Sequence, residues 1–576
     1  MLLRLNDFLG RPALSAPILA LAAAAVTGSG CATRRGEPAD LVLHNGTVVT
    51  FDPAKPEARA IAVRGGSIAA VGDDAAVLAL AGPATRRIDL AGRMVLPGLT
   101  DAHGHIRSLG EQVAGLDLRG VASVGEIARR VTERAAALPP GAWVTGGGWD
   151  QNLWPGERFP DHRPLTAAAP GRPVWLSRID GHASWASRAA MDAAGITRAT
   201  PDPPGGGIEH DARGEPTGLF IDNAQDLVAR VQPKPDRAQI KAWILLALER
   251  CAAAGLTSVH DAGVSEEEAI AFRELADEGR LPLRVYLMYS GMPGAAAKDT
   301  VADLERLLAE PPLVDYKNRL TLRAVKLMID GAMGSRGALF FEDYSDDPGN
   351  KGLFVMTQEQ IESAAALALR RGWQVCTHAI GDRGIRLTLD LYEKLLGASG
   401  AADPRPRLEH LQCVTRADAA RLKRLGVIAS MQPSHATSDM YWADERVGAA
   451  RGKGLYAWRW VLDDGGVIAA GSDFPVDPEK PLVGIHSGVT RQDLKHWPEG
   501  GWHPEQRMTL DEVLRAYTGG AAYAAFEEAS RGRIGAGYKA DLTVVGKDLR
   551  AIPSEDIAGA GIAFTIVGGR IVYEGR

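Results

Sequence analysis

Between residues 95 and 473 the chain passes through eight short apolar segments, at 95–99, 257–260, 284–289, 323–329, 374–378, 407–410, 427–432 and 467–473. Continuous apolar runs of this length are strands buried on both faces, as in a parallel sheet covered by helices. The stretches between them supply such helices: residues 239–254 and 358–371 carry apolar side chains at helical spacing. Eight βα units close a (β/α)8 barrel, so the expected architecture is an α/β TIM barrel. The interval from the first segment to the second is far longer than one unit requires. Residues from about 107 to 236 must therefore form an insertion, with Pro- and Gly-rich stretches such as 201–207. At the catalytic end of a barrel, a long insertion commonly becomes a lid or a substrate pocket.

The two ends of the chain have a different texture. Short apolar segments separated by Asn45-Gly46 and Gly65-Gly66 read as strands joined by hairpin turns, and residues 540–545 and 565–572 repeat the pattern. Neither end alone carries enough strands for a stable sheet. One small β-sandwich built from residues 38–97 and 531–576 is expected, beside a barrel at 98–530.

Ahead of it, Arg4 and Arg11 precede an apolar run from Ala13 to Val26, which resembles a secretory signal peptide over residues 1–31. The run closes on Gly28-Ser29-Gly30-Cys31, which resembles a bacterial lipoprotein cleavage site with Cys31 as the lipidated first residue. Gly28 stands where such sites usually carry Leu, and an ordinary cleaved signal with an incidental cysteine is the alternative. The expectation is an exported protein of the periplasm or cell envelope, with membrane attachment through an N-terminal lipid.

Composition removes other classes. A net charge of −6 leaves no basic footprint for nucleic acid. No later stretch has the long uncharged apolar run of a spanning helix. Cys251, Cys376 and Cys413 are odd in number and isolated, which excludes a disulfide framework and points to packing.

The polar residues on the predicted strands fall at their C-terminal ends, where barrel enzymes keep their chemistry. His103 and His105 follow the first segment and, one residue apart, project from the same face of a strand. Lys326 interrupts the fourth, His378 ends the fifth, His410 ends the sixth and Asp473 ends the eighth. Each alone has a structural explanation: a lone histidine is commonly a hydrogen-bonded core residue, and an Asp after Gly-Ser caps a helix. Together, imidazoles and a carboxylate in barrel order make a site for a divalent metal.

This set resembles the amidohydrolase superfamily: His-x-His on strand one, Lys on strand four, His on strands five and six, Asp on strand eight. More closely the chain resembles amidohydrolase family 3, the branch that includes N-substituted formamide deformylases. The matching stretches are 98–105, 178–182, 325–336, 377–382, 408–410, 472–476 and 517–522. The resemblance implies one metal on His103, His105 and Asp473, and a second on His378 and His410, with carbamylated Lys326 bridging them. The ligand types suit zinc, without excluding iron, manganese or cobalt. An ordinary lysine paired with Asp330 is the alternative to the carbamate.

By the same resemblance, a metal-activated water attacks a carbonyl, and Asp473 moves its proton to the leaving nitrogen. The implied substrate is a small N-substituted amide or formamide. A deaminase or cyclic-amide hydrolase on the same core, and a non-catalytic exported binding lipoprotein, are the alternatives. Further candidates for substrate contact are His182, Trp149, Arg336, Asp382 and His435; Trp143, Trp154 and Trp175 accompany Trp149 as a pocket lining or as core.

Overall fold

The computed structural model describes residues 36–292, 300–400 and 402–575, so Cys31 and the leader lie outside the described residues. Its central sheet has eight parallel strands hydrogen-bonded in chain order. They are β1 (Leu99–Gly104), β2 (Leu256–Val264), β3 (Arg284–Ser290), β4 (Leu320–Met328), β5 (Gln374–Ala379), β6 (Arg407–His410), β7 (Ile428–Met431) and β8 (Ile468–Ala470). A parallel bridge between Gly104 and Phe474 brings the last strand back towards the first, so the barrel is nearly closed.

Helices cover the sheet, and their first turns are tied down by side chains. Thr357 with Gln360, and Ser265 with Glu268, form capping boxes on the helices Gln358–Arg370 and Glu266–Asp277. Asp236 accepts from Gln239 N at the start of Arg237–Ala253. Each cap satisfies an amide that the helix itself cannot. Among the described residues no helix is long and apolar enough to cross a membrane.

The first predicted segment, 95–99, needs correction. Met94–Pro97 pairs antiparallel with Leu542–Val545 and parallel with Thr47–Val49, in a sheet outside the barrel, while β1 begins at Leu99. Gly98 makes the crossing: a Cβ there would lie 2.2 Å from Thr257 Oγ1. Thus one apolar run serves two sheets.

That outer sheet has six strands drawn from both ends of the chain. It packs against a four-stranded sheet from residues 39–89 through Leu41, Leu43, Val48, Val95, Leu542, Val544 and Ile566. A buried ion group joins this layer to the N-terminal ends of the barrel strands. Asp541 accepts from Arg284 Nε at 2.6 Å and forms an ion pair with Arg531, whose Nε lies 3.1 Å away, while Arg531 also reaches Ser258 and Thr100.

The insertion forms a second six-stranded sheet between Leu116 and Asp222. Trp149 is not available to a substrate. It is fully buried in the insertion's own core, stacked 5.8 Å from Trp154, and its indole N–H donates to Leu176 O at 2.7 Å. Trp154 lies in the same core, while Trp175 packs on Phe220 with Trp143 at the edge.

Candidate metal centre

Along β1 the alternation of side chains directs Asp101 and His103 to the barrel interior, and His105 follows just past the strand. Asp101 works as a clasp, accepting from Ser472 Oγ at 2.6 Å and from the amides of Ser472 and His103. Burial raises its pKa to about 7. The clasp brings the end of β8 against β1, where the Asp473 amide donates to His103 O at 2.7 Å. Asp473 has a left-handed backbone, φ 57°, which turns its carboxylate back over the barrel mouth.

His103, His105 and Asp473 then converge. His103 Nδ1 is held by Glu409 Oε2 at 2.5 Å, which leaves Nε2 facing Asp473 Oδ1 at 3.5 Å. His105 Nε2 lies 3.0 Å from the same oxygen. His103 Nε2 and Asp473 Oδ1 are both buried and have no hydrogen-bond partner. Two donors bonded at about 2.1 Å to one tetrahedral ion lie roughly 3.4 Å apart, so the spacing and the chemistry of these donors fit a divalent metal.

Charge states agree with that fit. Burial, with Lys326 nearby, lowers the His103 pKa to about 4, and burial holds His378 and His410 well below the usual imidazole value. Neutral imidazole is the form that binds metal. Burial acts against the Asp473 carboxylate, but His103 and His105 hold its pKa below the ordinary range. Glu409 is treated alike by Arg407 and His103, again against burial.

His410 joins from β6, its Nδ1 on Gln432 Oε1 at 2.9 Å and its ring 4.7 Å from that of His103. The His378 ring meets that of His410 edge-on at 4.5 Å, with Nε2 turned to Gly331 O at 3.4 Å and Asp330 Oδ1 at 3.6 Å. Lys326 lies inside the barrel beside Cys376, its partner in register, and burial lowers its pKa. The alternative pairing with Asp330 is not formed. Asp330 instead accepts amides from Leu339, Ile380 and Gly381, all within 3.1 Å, and so anchors the loops after β4 and β5.

Two further histidines reach the centre. His182 comes from the insertion, its ring 5.4 Å from His378 and its Nδ1 2.5 Å from Asp222 Oδ1. Burial works to neutralise it, but the Asp222 charge prevails and raises its pKa to about 9. His435 follows β7, with its ring parallel to His410 at 6.3 Å.

Arg336 and Asp382 do not join the cluster. Arg336 pairs with Asp346, which also holds Arg446, and Asp382 accepts the Phe341 amide at 3.0 Å in the first turn of its helix. Cys376 and Cys413 are buried free thiols.

Sequence reasoning missed Glu409, Gln432 and Asp222, each of which holds an imidazole at Nδ1. Strict alternation sets Glu409 on the face opposite His410. The positive φ of His410, 77°, reverses the chain there and lets both side chains face inward. Glu409 could still have been found from its spacing to Arg407, two residues earlier on the same face.

The sequence profile of the amidohydrolase family matches residues 86–573. The chain is 34% identical over 549 residues to Protein LONG AFTER FAR-RED 3 of Arabidopsis thaliana, covering 93% of this chain and 92% of that one. It is 29% identical over 551 residues to N-substituted formamide deformylase of Arthrobacter pascens, covering 93% and 98%. The crystal structure of an uncharacterized metal-dependent hydrolase from Pyrococcus furiosus superposes with a TM-score of 0.69 at 28% identity, over 88% of this chain and 99% of that one.

Proposed function

Because the chain belongs to the amidohydrolase family, we propose that it hydrolyses a C–N bond outside the normal peptide chain, in a small N-substituted amide or formamide. The carrying observation is the convergence of His103 Nε2, His105 Nε2 and Asp473 Oδ1, two of them buried without partners. Zinc is the first candidate among divalent ions, given a set of imidazole and carboxylate donors. A divalent ion held there supplies Lewis-acid activation of water and of the carbonyl oxygen.

The chain's own residues manage position and protons. Glu409 fixes His103 so that Nε2 is its ligand atom. Asp473 takes a proton from the attacking water as the C–O bond forms. It returns that proton to the nitrogen, which keeps the electron pair of the breaking C–N bond. Lys326 is buried, and that burial lowers its pKa; as the free amine it would add to carbon dioxide through Nζ, releasing one proton and becoming an anionic ligand. The deformylase relative supports a formamide or related substrate.

The leader supports export, and Cys31 supports lipid attachment; a Cys31→Ser variant would then leave the membrane fraction. For the activity, the test is release of amine from a panel of N-formyl and N-acyl amines. The expected result is release that a chelator stops and zinc restores. Failure of the zinc-loaded protein to release amine from any of them would remove this reading.

A further inference from the structure

We propose that the substrate carries a positively charged amine on the substituent of its amide nitrogen, and that Asp439 and Asp477 receive this ammonium group beside the metal centre. The proposal rests on the metallohydrolase reading above and narrows its substrate. A formamide has only hydrogen on its carbonyl carbon, so nitrogen is the one place for a substituent.

Charges around the mouth are unevenly balanced. Arg178, from the insertion, is shared by Asp150 and Asp180, while Asp346 holds both Arg336 and Arg446. Asp439 ends the helix Pro433–Asp439 after β7, and Asp477 follows Asp473 in the loop after β8. Among the described residues, neither is in an ion pair with a lysine or an arginine. Asp439 accepts from the Tyr456 hydroxyl, and Asp477 faces only His435. The Arg178 charge reaches Asp439, but that guanidinium already serves two other carboxylates. Burial raises the Asp439 pKa to about 7, and the charges of Asp477 and Asp150 add to it against His435 and Tyr456. Burial raises the Asp477 pKa as well, with Asp473 adding to the effect. Carboxylates left in this state are costly until a cation joins them.

Three further atoms show where that cation fits. Ser434 Oγ, His435 Nε2 and Asp477 Oδ2 are buried without hydrogen-bond partners, and His435 is only 5% exposed. His435 Nε2 and Asp477 Oδ2 are 3.7 Å apart, too far to bond to each other. An ammonium group has three donors, and two of its hydrogen bonds, each about 2.9 Å long, can reach both atoms. The Gln412 side-chain amide lies 3.3 Å from His435 Nδ1. With its oxygen turned to that nitrogen it accepts Nδ1–H and leaves Nε2 bare as an acceptor. The His435 ring is 6.3 Å from that of His410, so this acceptor set adjoins the metal ligands. Asp150, Asp180 and Asp439 are half-buried, which opens the seam between insertion and barrel to solvent and makes its entrance acidic.

The test compares two formamides of equal chain length on the zinc-loaded full chain: the monoformamide of diaminobutane, which bears an ammonium, and N-pentylformamide, which does not. The expected kcat/KM favours the first by about 10-fold or more, the range of hydrogen bonds to a charged group. Asp477→Asn and Asp439→Asn should each shrink that ratio, with the melting temperature held or raised. Diaminobutane itself should bind the zinc-loaded protein in calorimetry, more weakly in high salt and in both variants. Equal kcat/KM for the two formamides, a ratio unchanged in both variants, or diaminobutane binding no tighter than butanediol would each overturn the proposal. Amine release from N-pentylformamide at the same rate would leave the hydrolase reading standing. Diaminobutane binding that both variants weaken, without amine release from any amide, would keep the ammonium site and remove the hydrolase reading.

Discussion

Both ends of the barrel bury charge, and they do so in opposite ways. At the floor, Asp541 lies between Arg284 and Arg531, and Arg531 is also paired with Glu527, so every charge has one of opposite sign against it. At the mouth, His103 Nε2, His435 Nε2, Asp473 Oδ1 and Asp477 Oδ2 are equally buried and lack hydrogen-bond partners. A paired group is explained by the fold it holds together. An unpaired one calls for something the fold does not contain, and four of them converging on one mouth call for a ligand.

The contrast predicts that mouth variants lose activity while floor variants lose stability. Asp473→Asn should lower kcat/KM by about 10³-fold or more, in the range of a lost acid–base group, with the melting temperature held or raised. Kinetics and thermal denaturation together check it; a large drop in melting temperature would break the contrast. Asp541→Asn should behave in reverse. Leaving two buried guanidinium groups short of a partner should cost about 3–5 kcal/mol in denaturant unfolding, with kcat per folded molecule unchanged.

Acid should reach the floor by a known route. Burial acts to raise the Asp541 pKa, but Arg284 and Arg531 outweigh it and lower it from 3.8 to about 2. A depressed carboxylate contributes stability above its unfolded pKa and loses it as pH falls through the folded one. About 2 kcal/mol should therefore disappear between roughly pH 4 and pH 2, and Asp541→Asn should abolish that limb of the unfolding curve. The smallest expected effect lies away from both ends: Thr357→Ala removes a helix cap and should cost about 1 kcal/mol, with no change in metal content.

The mouth was more legible in the sequence than the groups that hold it. Strand ends carrying His103, His105, His378, His410 and Asp473 could be placed because apolar runs and turn residues mark where strands stop. Boundaries failed where one run served two sheets, as at Met94–Pro97 and Leu99–Gly104. The supporting contacts depend on departures from regular geometry. His410 and Asp222 both have positive φ, 77° and 47°, and residue spacing cannot announce such a turn. Trp149 shows the opposite error, since an aromatic cluster in an insertion has the same composition whether it lines a pocket or fills a core. Only the packing against Trp154 and Trp185 decides between them.

The most direct measurement is amine release from an N-formyl amine by the full chain before metal removal, after it, and after zinc is returned. A hydrolytic metal centre at the mouth predicts loss on removal and recovery on return, with His103→Asn recovering little because its binding position is broken. Metal-stripped protein that hydrolyses the substrate as fast as the loaded form would contradict the account.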